Sequence, residues 1–221
     1  VSKSATPAAV ITYTWAISKS VSPAAFDLTA GQIATATYRV SVTKAVAATG
    51  FGVTGAIVIS NPAPMAAQLA GVSDQMSDGM PATVTCGGAT SVAAGSTLTC
   101  TYGASLPSGA ARTNVATAVQ ALSGGGTRSY SGTASIVFGQ PVEILPAVTV
   151  SDTPWVTSTS ASGTTSYSYQ VPLSCVDINF NGQASFSTSR FNVASLKETG
   201  QQVQVSVPLI CWANGGLTVT K

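Results

Sequence analysis

Lysine, aspartate and asparagine stand in this chain where a covalent cross-link could be built. Lys19 lies on the first strongly strand-like segment, Asn114 on a late one, and Asp74 between them. Buried together, such a lysine would become a neutral nucleophile while a protonated carboxyl polarised the asparagine amide. Part of the pattern occurs twice. "VSD" stands at Val72–Asp74 and Val150–Asp152, and "NVA" at Asn114–Ala116 and Asn192–Ala194, with the same Asp-to-Asn spacing in both copies. The second copy has no equivalent first-strand lysine, so Lys3 or Lys221 of another chain would have to supply one. The plainer reading is the favoured one: these are turn or strand-end residues that bond backbone.

Other chemistry is sparse. The chain has no histidine, which rules out a Ser–His–Asp or Cys–His pair and any histidine metal ligand. Its seven carboxylates, Asp27, Asp74, Asp78, Glu143, Asp152, Asp177 and Glu198, are scattered, and nothing marks a glycosidase pair among them. No catalytic residue, no cofactor and no metal site is expected. "DINFNG" at 177–182 copies the start of a calcium loop, but Thr188 falls where the bidentate glutamate should be. A hairpin around an Asn181-Gly182 turn is the better reading. The four cysteines suggest two disulfides, with Cys86–Cys100 and Cys175–Cys211 favoured among the three possible connectivities.

Composition narrows location and partners. The chain has 221 residues, 45% of them hydrophobic and only 7% charged, against roughly 25% charged in typical soluble domains. Weak repulsion between copies suits dense self-packing. The nine basic residues are scattered, so no nucleic-acid face is expected, and no apolar run is long enough for membrane insertion. Val1 in place of Met, together with an even cysteine count, reads as a processed N-terminus on an exported, cell-surface chain.

β-Branched and polar residues alternate in segment after segment, as in "VITYTWAIS", "QIATATYRVSVT", "FGVTGAIVIS" and "QQVQVSVPLI". The chain reads as all-β, most simply as two tandem immunoglobulin-like sandwiches over residues 1–140 and 141–221. Aligned on the repeat, the second domain is shorter and lacks the first two strands of the first. An incomplete sandwich would leave unpaired backbone for a strand from a neighbour. The candidate donors are Val10, Ile11, Tyr13, Trp15 and Ile17 in the opening strand, behind a flexible leader "VSKSATP", and Leu217 and Val219 in the tail. The favoured reading of the opening strand is that it is simply the first strand of domain 1, which needs one, so that the C-terminal tail or the far N-terminal leader would do any linking. Trp15, Trp155 and Trp212 read as core or interface anchors.

The pattern "YTWAISKSVSP…AGQIATATYRVSVT…VTGAIVISNPAP…GVSD…TVTC…AAGSTLTCTYGASLP…TNVATA…IVFGQP…VTVSDT" resembles repeat domains of bacterial exported surface proteins with immunoglobulin-like or prealbumin-like folds. The tail "VSVPLICWANGGLTVTK" is similar to the end of a second such domain. The resemblance implies a β-sandwich, export and a structural or adhesive role, and no enzyme. The leading expectation is a subunit that polymerises with itself by strand addition into a filament, pilus-like fibre or surface layer. The alternative is a monomeric surface adhesin that binds host or matrix ligands.

Overall fold

The computed structural model describes residues 1–153 and 158–215. Sixteen strands and no helix occur among them. The first eight are β1 (Ser2–Lys3), β2 (Thr6–Ser22), β3 (Phe26–Thr29), β4 (Ile33–Asn61), β5 (Ala67–Met76), β6 (Thr83–Thr85), β7 (Ser91–Val92) and β8 (Ser96–Leu106). The others are β9 (Arg112–Ala121), β10 (Thr127–Ile136), β11 (Val142–Ile144), β12 (Val148–Thr153), β13 (Thr159–Ala161), β14 (Thr165–Ser174), β15 (Ser185–Leu196) and β16 (Gln202–Trp212). The protein is all-β, as its alternating segments predict.

Two compact units share the chain. Unit 1 comprises Val1–Thr12 and Ala47–Ile144, and unit 2 comprises Tyr13–Val46 and Leu145–Lys221. This corrects the expected division at residue 140. The 1–140 segment does not form one domain, because residues 13–46 belong with the C-terminal part. The strands that the second domain seemed to lack are therefore supplied from near the chain start, and the expected strand deficiency disappears. The reason lies in β4. "QIATATYRVSVT" and "FGVTGAIVIS" read as two strands, yet they are one continuous strand of 29 residues. Its first part alternates Ala36, Tyr38, Val40 and Val42 inward, and its last part buries Val53, Ile57 and Ile59. Residues 45–50 between them are exposed.

In unit 1, the later part of β4 pairs with β8 from Phe51↔Leu106 to Asn61↔Ser96, and β8 pairs with β6. On its other side β1 pairs at Ser2↔Val58 and Lys3↔Ile57, so the supposedly flexible leader is sheet. β11 runs parallel to β2 at Val142↔Val10. A second sheet has the order β10-β9-β5-β7. Both sheets contribute to one core, with Val53, Ile57, Tyr102 and Leu106 from the first and Met76, Ala116, Ala118 and Ile136 from the second.

In unit 2, the first part of β4 pairs along its length with β14, from Thr165↔Val42 to Ser174↔Ile33. The other sheet has the order β13-β12-β15-β16-β3. One apolar cluster gathers Trp15, Val40, Val148, Val150 and Leu196, and another gathers Phe26, Tyr38, Leu173, Val207 and Leu209. Tyr38 and Tyr169 stack with ring centroids 5.4 Å apart.

Each unit carries one disulfide, in the pairing that the sequence favours: Cys86–Cys100 and Cys175–Cys211. Cys86 follows β6, whose Thr85 lies opposite Thr101 of β8, so the first bond links neighbouring strands of one sheet. Cys175 lies just beyond β14 and Cys211 on β16, so the second ties the two sheets of unit 2 together. The bonds close loops of 14 and 36 residues. Loop-closure entropy puts their contributions at about 3 and about 4 kcal/mol. Urea unfolding of the C86S/C100S and C175S/C211S variants is expected to show losses in that order, with the larger loss in the second.

Candidate functional site

The most unusual chemistry in the protein lies in its cores. Strand alternation turns Asn114, Ala116 and Ala118 of β9 inward, and Asn192, Ala194 and Leu196 of β15 likewise. The same rule turns Asp74 and Met76 of β5 inward, with Val148, Val150 and Asp152 of β12. Polar side chains thus occupy positions in rows that are otherwise apolar. Asp74 lies opposite Ala116, and Asp152 lies opposite Ala194. Each asparagine is two residues back on the same face. The repeated "VSD" and "NVA" motifs are therefore at equivalent register positions in the two units, and the small alanines leave space above them.

A lysine fills that space in each unit. In unit 1, Lys3 projects inward beside Val1 and Ala5, which pack on the core. Its amine donates to Asp74 Oδ2, with both side chains fully buried. The amine also lies 3.2 Å from the centroid of the Tyr102 ring. Gly55 makes this approach possible. A Cβ there would strike the carbonyl oxygen of Ser4 and come within 2.7 Å of the Tyr102 ring. The Tyr102 hydroxyl donates to that same Ser4 carbonyl at 2.7 Å. In unit 2, Lys19 sits in the inward row of Trp15 and Ile17 on β2. Its amine is 2.5 Å from Asp152 Oδ1 and donates to the Tyr169 hydroxyl at 3.1 Å. Asn192 Nδ2 donates to the same hydroxyl at 2.6 Å.

These clusters are incompletely bonded. Neither Nδ2 nor Oδ1 of Asn114 has a hydrogen-bond partner among the described residues, and the same holds for Asn192 Oδ1 and Asp74 Oδ1. A buried polar atom left unpaired costs about 1–3 kcal/mol. Burial lowers the pKa of Lys3, against the opposing pull of Asp74, and lowers that of Lys19 against Asp152. Burial also raises the hydroxyls of Tyr102, Tyr38 and Tyr169. The sites therefore hold an amine whose charged form burial disfavours, a carboxylate bonded to it, and an amide with an unpartnered acceptor oxygen.

The expected trio of Lys19, Asp74 and Asn114 needs correction. Asp74 and Asn114 share their site with Lys3, whereas Lys19 belongs with Asp152 and Asn192. The second copy thus has its lysine within its own chain. Linear order misled the assignment, because the first strands of unit 2 precede most of unit 1. A usable signal was present. "VSKSATP" at 1–7 is echoed by "ISKSVSP" at 17–23, and each places its lysine third. The tyrosines that end "GSTLTCTY" and "GTTSYSY" are the two cluster tyrosines, Tyr102 and Tyr169.

The opening strand pairs within its own chain. Val10 and Ile11 pair with Val142 and Glu143, Tyr13 lies under the Lys44 amine, and the buried Trp15 donates to the Leu145 carbonyl at 3.0 Å. Ile17 packs on the unit 2 core. Trp212 is 45% exposed. Trp155, Leu217, Val219 and Lys221 lie outside the described residues. "DINFNG" contains the expected tight turn, with Asn181 and Gly182 at φ 48 and 78 and Gln183 N–H bonded to the Phe180 carbonyl. The flanking strands β14 and β15 enter different sheets, so the turn closes no hairpin. Among the described residues, no group of three or more His, Cys, Asp or Glu could hold a metal.

The buried tyrosines have a measurable consequence. A phenol whose folded pKa is raised adds stability below its unfolded pKa of about 10 and loses that contribution as pH rises further. Alkaline titration followed by tyrosinate absorbance is expected to show Tyr38, Tyr102 and Tyr169 ionising only as the fold is lost. No family model matches the chain, and no curated protein or solved structure matches it.

Proposed function

We propose that the chain is a structural subunit of an extracellular filament, pilus-like fibre or surface layer, and that a second copy joins it by β-strand addition. The observation that carries this reading is the edge of unit 1. β10 is ten residues long, ends its sheet and is hydrogen-bonded among the described strands to β9 alone, with Val1 packed beside its Gly132. It contains no proline, and its only charged residue is Arg128. Natural edges of that length are usually blunted by charge, proline or a covering element, because a bare one templates further pairing. The comparable strand β14 in unit 2 carries Pro172, which removes one donor from the ladder.

Several features support a structural role. A disulfide in each unit is compatible with a secreted chain, and no helix among the described residues is long and apolar enough to cross a membrane. The low charge leaves little repulsion between copies. Immunoglobulin-like sandwiches fit the pair of units, each with core residues drawn from two sheets. Exposed Val142 and Ile144 on β11 and Phe186 and Phe191 on β15 add apolar surface for contacts between copies.

Placing lysines at exposed Ser129 and Ser131 tests the reading, since edge charges oppose strand addition. Negative-stain microscopy is expected to show regular assemblies of the unsubstituted protein and dispersed, folded particles of the S129K/S131K variant. Assemblies unchanged by the substitutions would exclude β10 as the acceptor. An unsubstituted protein that stays monomeric at high concentration would overturn the polymer reading and favour the adhesin.

A further inference from the structure

We propose that Lys3 is joined to Asn114, and Lys19 to Asn192, by side-chain amide bonds that form within the folded chain, with Asp74 and Asp152 carrying the protons. The inference does not depend on how copies assemble.

Three observations converge on it. First, the same residue types occur twice at equivalent register positions, on separate strands, in separate cores. A chance ion pair has no reason to bring an asparagine with it each time. Second, the asparagines lack the bonds that would explain their burial. Asn114 is fully buried with both amide atoms unpartnered, and Asn192 is 1% exposed with its oxygen unpartnered. A structural asparagine is normally retained because its hydrogen bonds are made. Asn61 shows the contrast, since its Nδ2 lies within 3.1 Å of three backbone carbonyls. Third, amine and amide are held together. Lys19 and Asn192 both donate to the Tyr169 hydroxyl, and the Asp74 that accepts from Lys3 lies one inward position along the β5–β9 ladder from Asn114.

The chemistry balances without an added reactant. Within the ion pair, a proton moves from the lysine ammonium to the aspartate, leaving a neutral amine and a carboxylic acid. Low local dielectric favours this neutral pair relative to water. The acid hydrogen-bonds to Asn Oδ1, and the lysine Nζ lone pair attacks Cγ. In the tetrahedral intermediate, the carboxyl relays a proton from Nζ to Nδ2. The Cγ–Nδ2 bond then breaks, ammonia leaves, and an Nζ–Cγ amide remains. The acid ends as it began, and no oxidation or reduction occurs. The product replaces a buried cation and an unsatisfied amide with one neutral amide.

The bonds would close very different loops. Lys3–Asn114 ties the first inward row of the chain to β9, and Lys19–Asn192 ties β2 to β15. Each would cross between the two sheets of its unit, where pulling or unfolding must separate them.

Intact mass spectrometry of the reduced protein tests this directly. The expected mass is about 34 Da below that of the sequence, the loss of one ammonia, about 17 Da, for each bond. K3R, D74N or N114A should each restore about 17 Da, K19R, D152N or N192A the other about 17 Da, and K3R/K19R the full mass. D74N and D152N retain both reactants and remove only the proton carrier. Tandem spectra should contain branched peptides joining Lys3 to Asn114 and Lys19 to Asn192, with trypsin cutting at neither lysine. A succinimide would give the same mass loss but no branched peptide. An unshifted mass in folded, unsubstituted protein would overturn the proposal, as would a shift without branched peptides. A loss in one unit alone would overturn it for the other.

Discussion

A lysine side chain buried in a β-core is the constraint on which this structure turns. An isolated buried ammonium is too costly to keep, so it must be paired, neutralised or consumed. Each unit meets that demand with an aspartate on the facing sheet, placed by strand register opposite an alanine. The alanine makes room, the aspartate supplies the charge, and a tyrosine closes the site from above. In unit 1 even the backbone gives way, since Gly55 has no side chain to keep Ser4 and Tyr102 apart. Replacing it with alanine would push on backbone and ring together.

The clusters also organise the fold around them. Lys3 and Lys19 are on strands of one sheet in their units, and their carboxylate partners are on the other. Each site is therefore a polar tie across an otherwise apolar interior. Ion pairs of this kind contribute little net stability, because desolvation offsets attraction. A shift of β2 by one residue would turn Lys19, Trp15 and Ile17 outward together. Register and chemistry are thus coupled, and a chain that pairs wrongly leaves a carboxylate buried alone.

Much of this was legible in the sequence. The all-β class follows from alternation that needs no partner to be seen. The disulfides follow from cysteines at the ends of strand-like segments. The repeat at Asp74–Asn114 and Asp152–Asn192 marks equivalent positions, because the register that aligns them is local to one strand pair in each unit. The Asn181-Gly182 turn is also local, since both residues must take positive φ. What was not legible was which lysine goes with which pair.

Residue types and their inward or outward alternation depend on neighbours a few positions apart, and the two-fold recurrence is visible in chain order alone, so all three were readable before any fold was known. The tertiary structure decided that β4 runs unbroken through both units and that residues 13–46 serve the C-terminal unit. It also decided that the side chain of Lys3, in a segment that reads as a loose leader, is fully buried in unit 1. Those outcomes depend on strand pairings across dozens of residues, such as Thr165↔Val42 and Ser2↔Val58. Pairing energy is nearly independent of sequence separation, whereas the cost of closing the loop grows only slowly with its length. A strand can therefore join a distant partner as readily as a near one, and linear order says little about which lysine meets which asparagine.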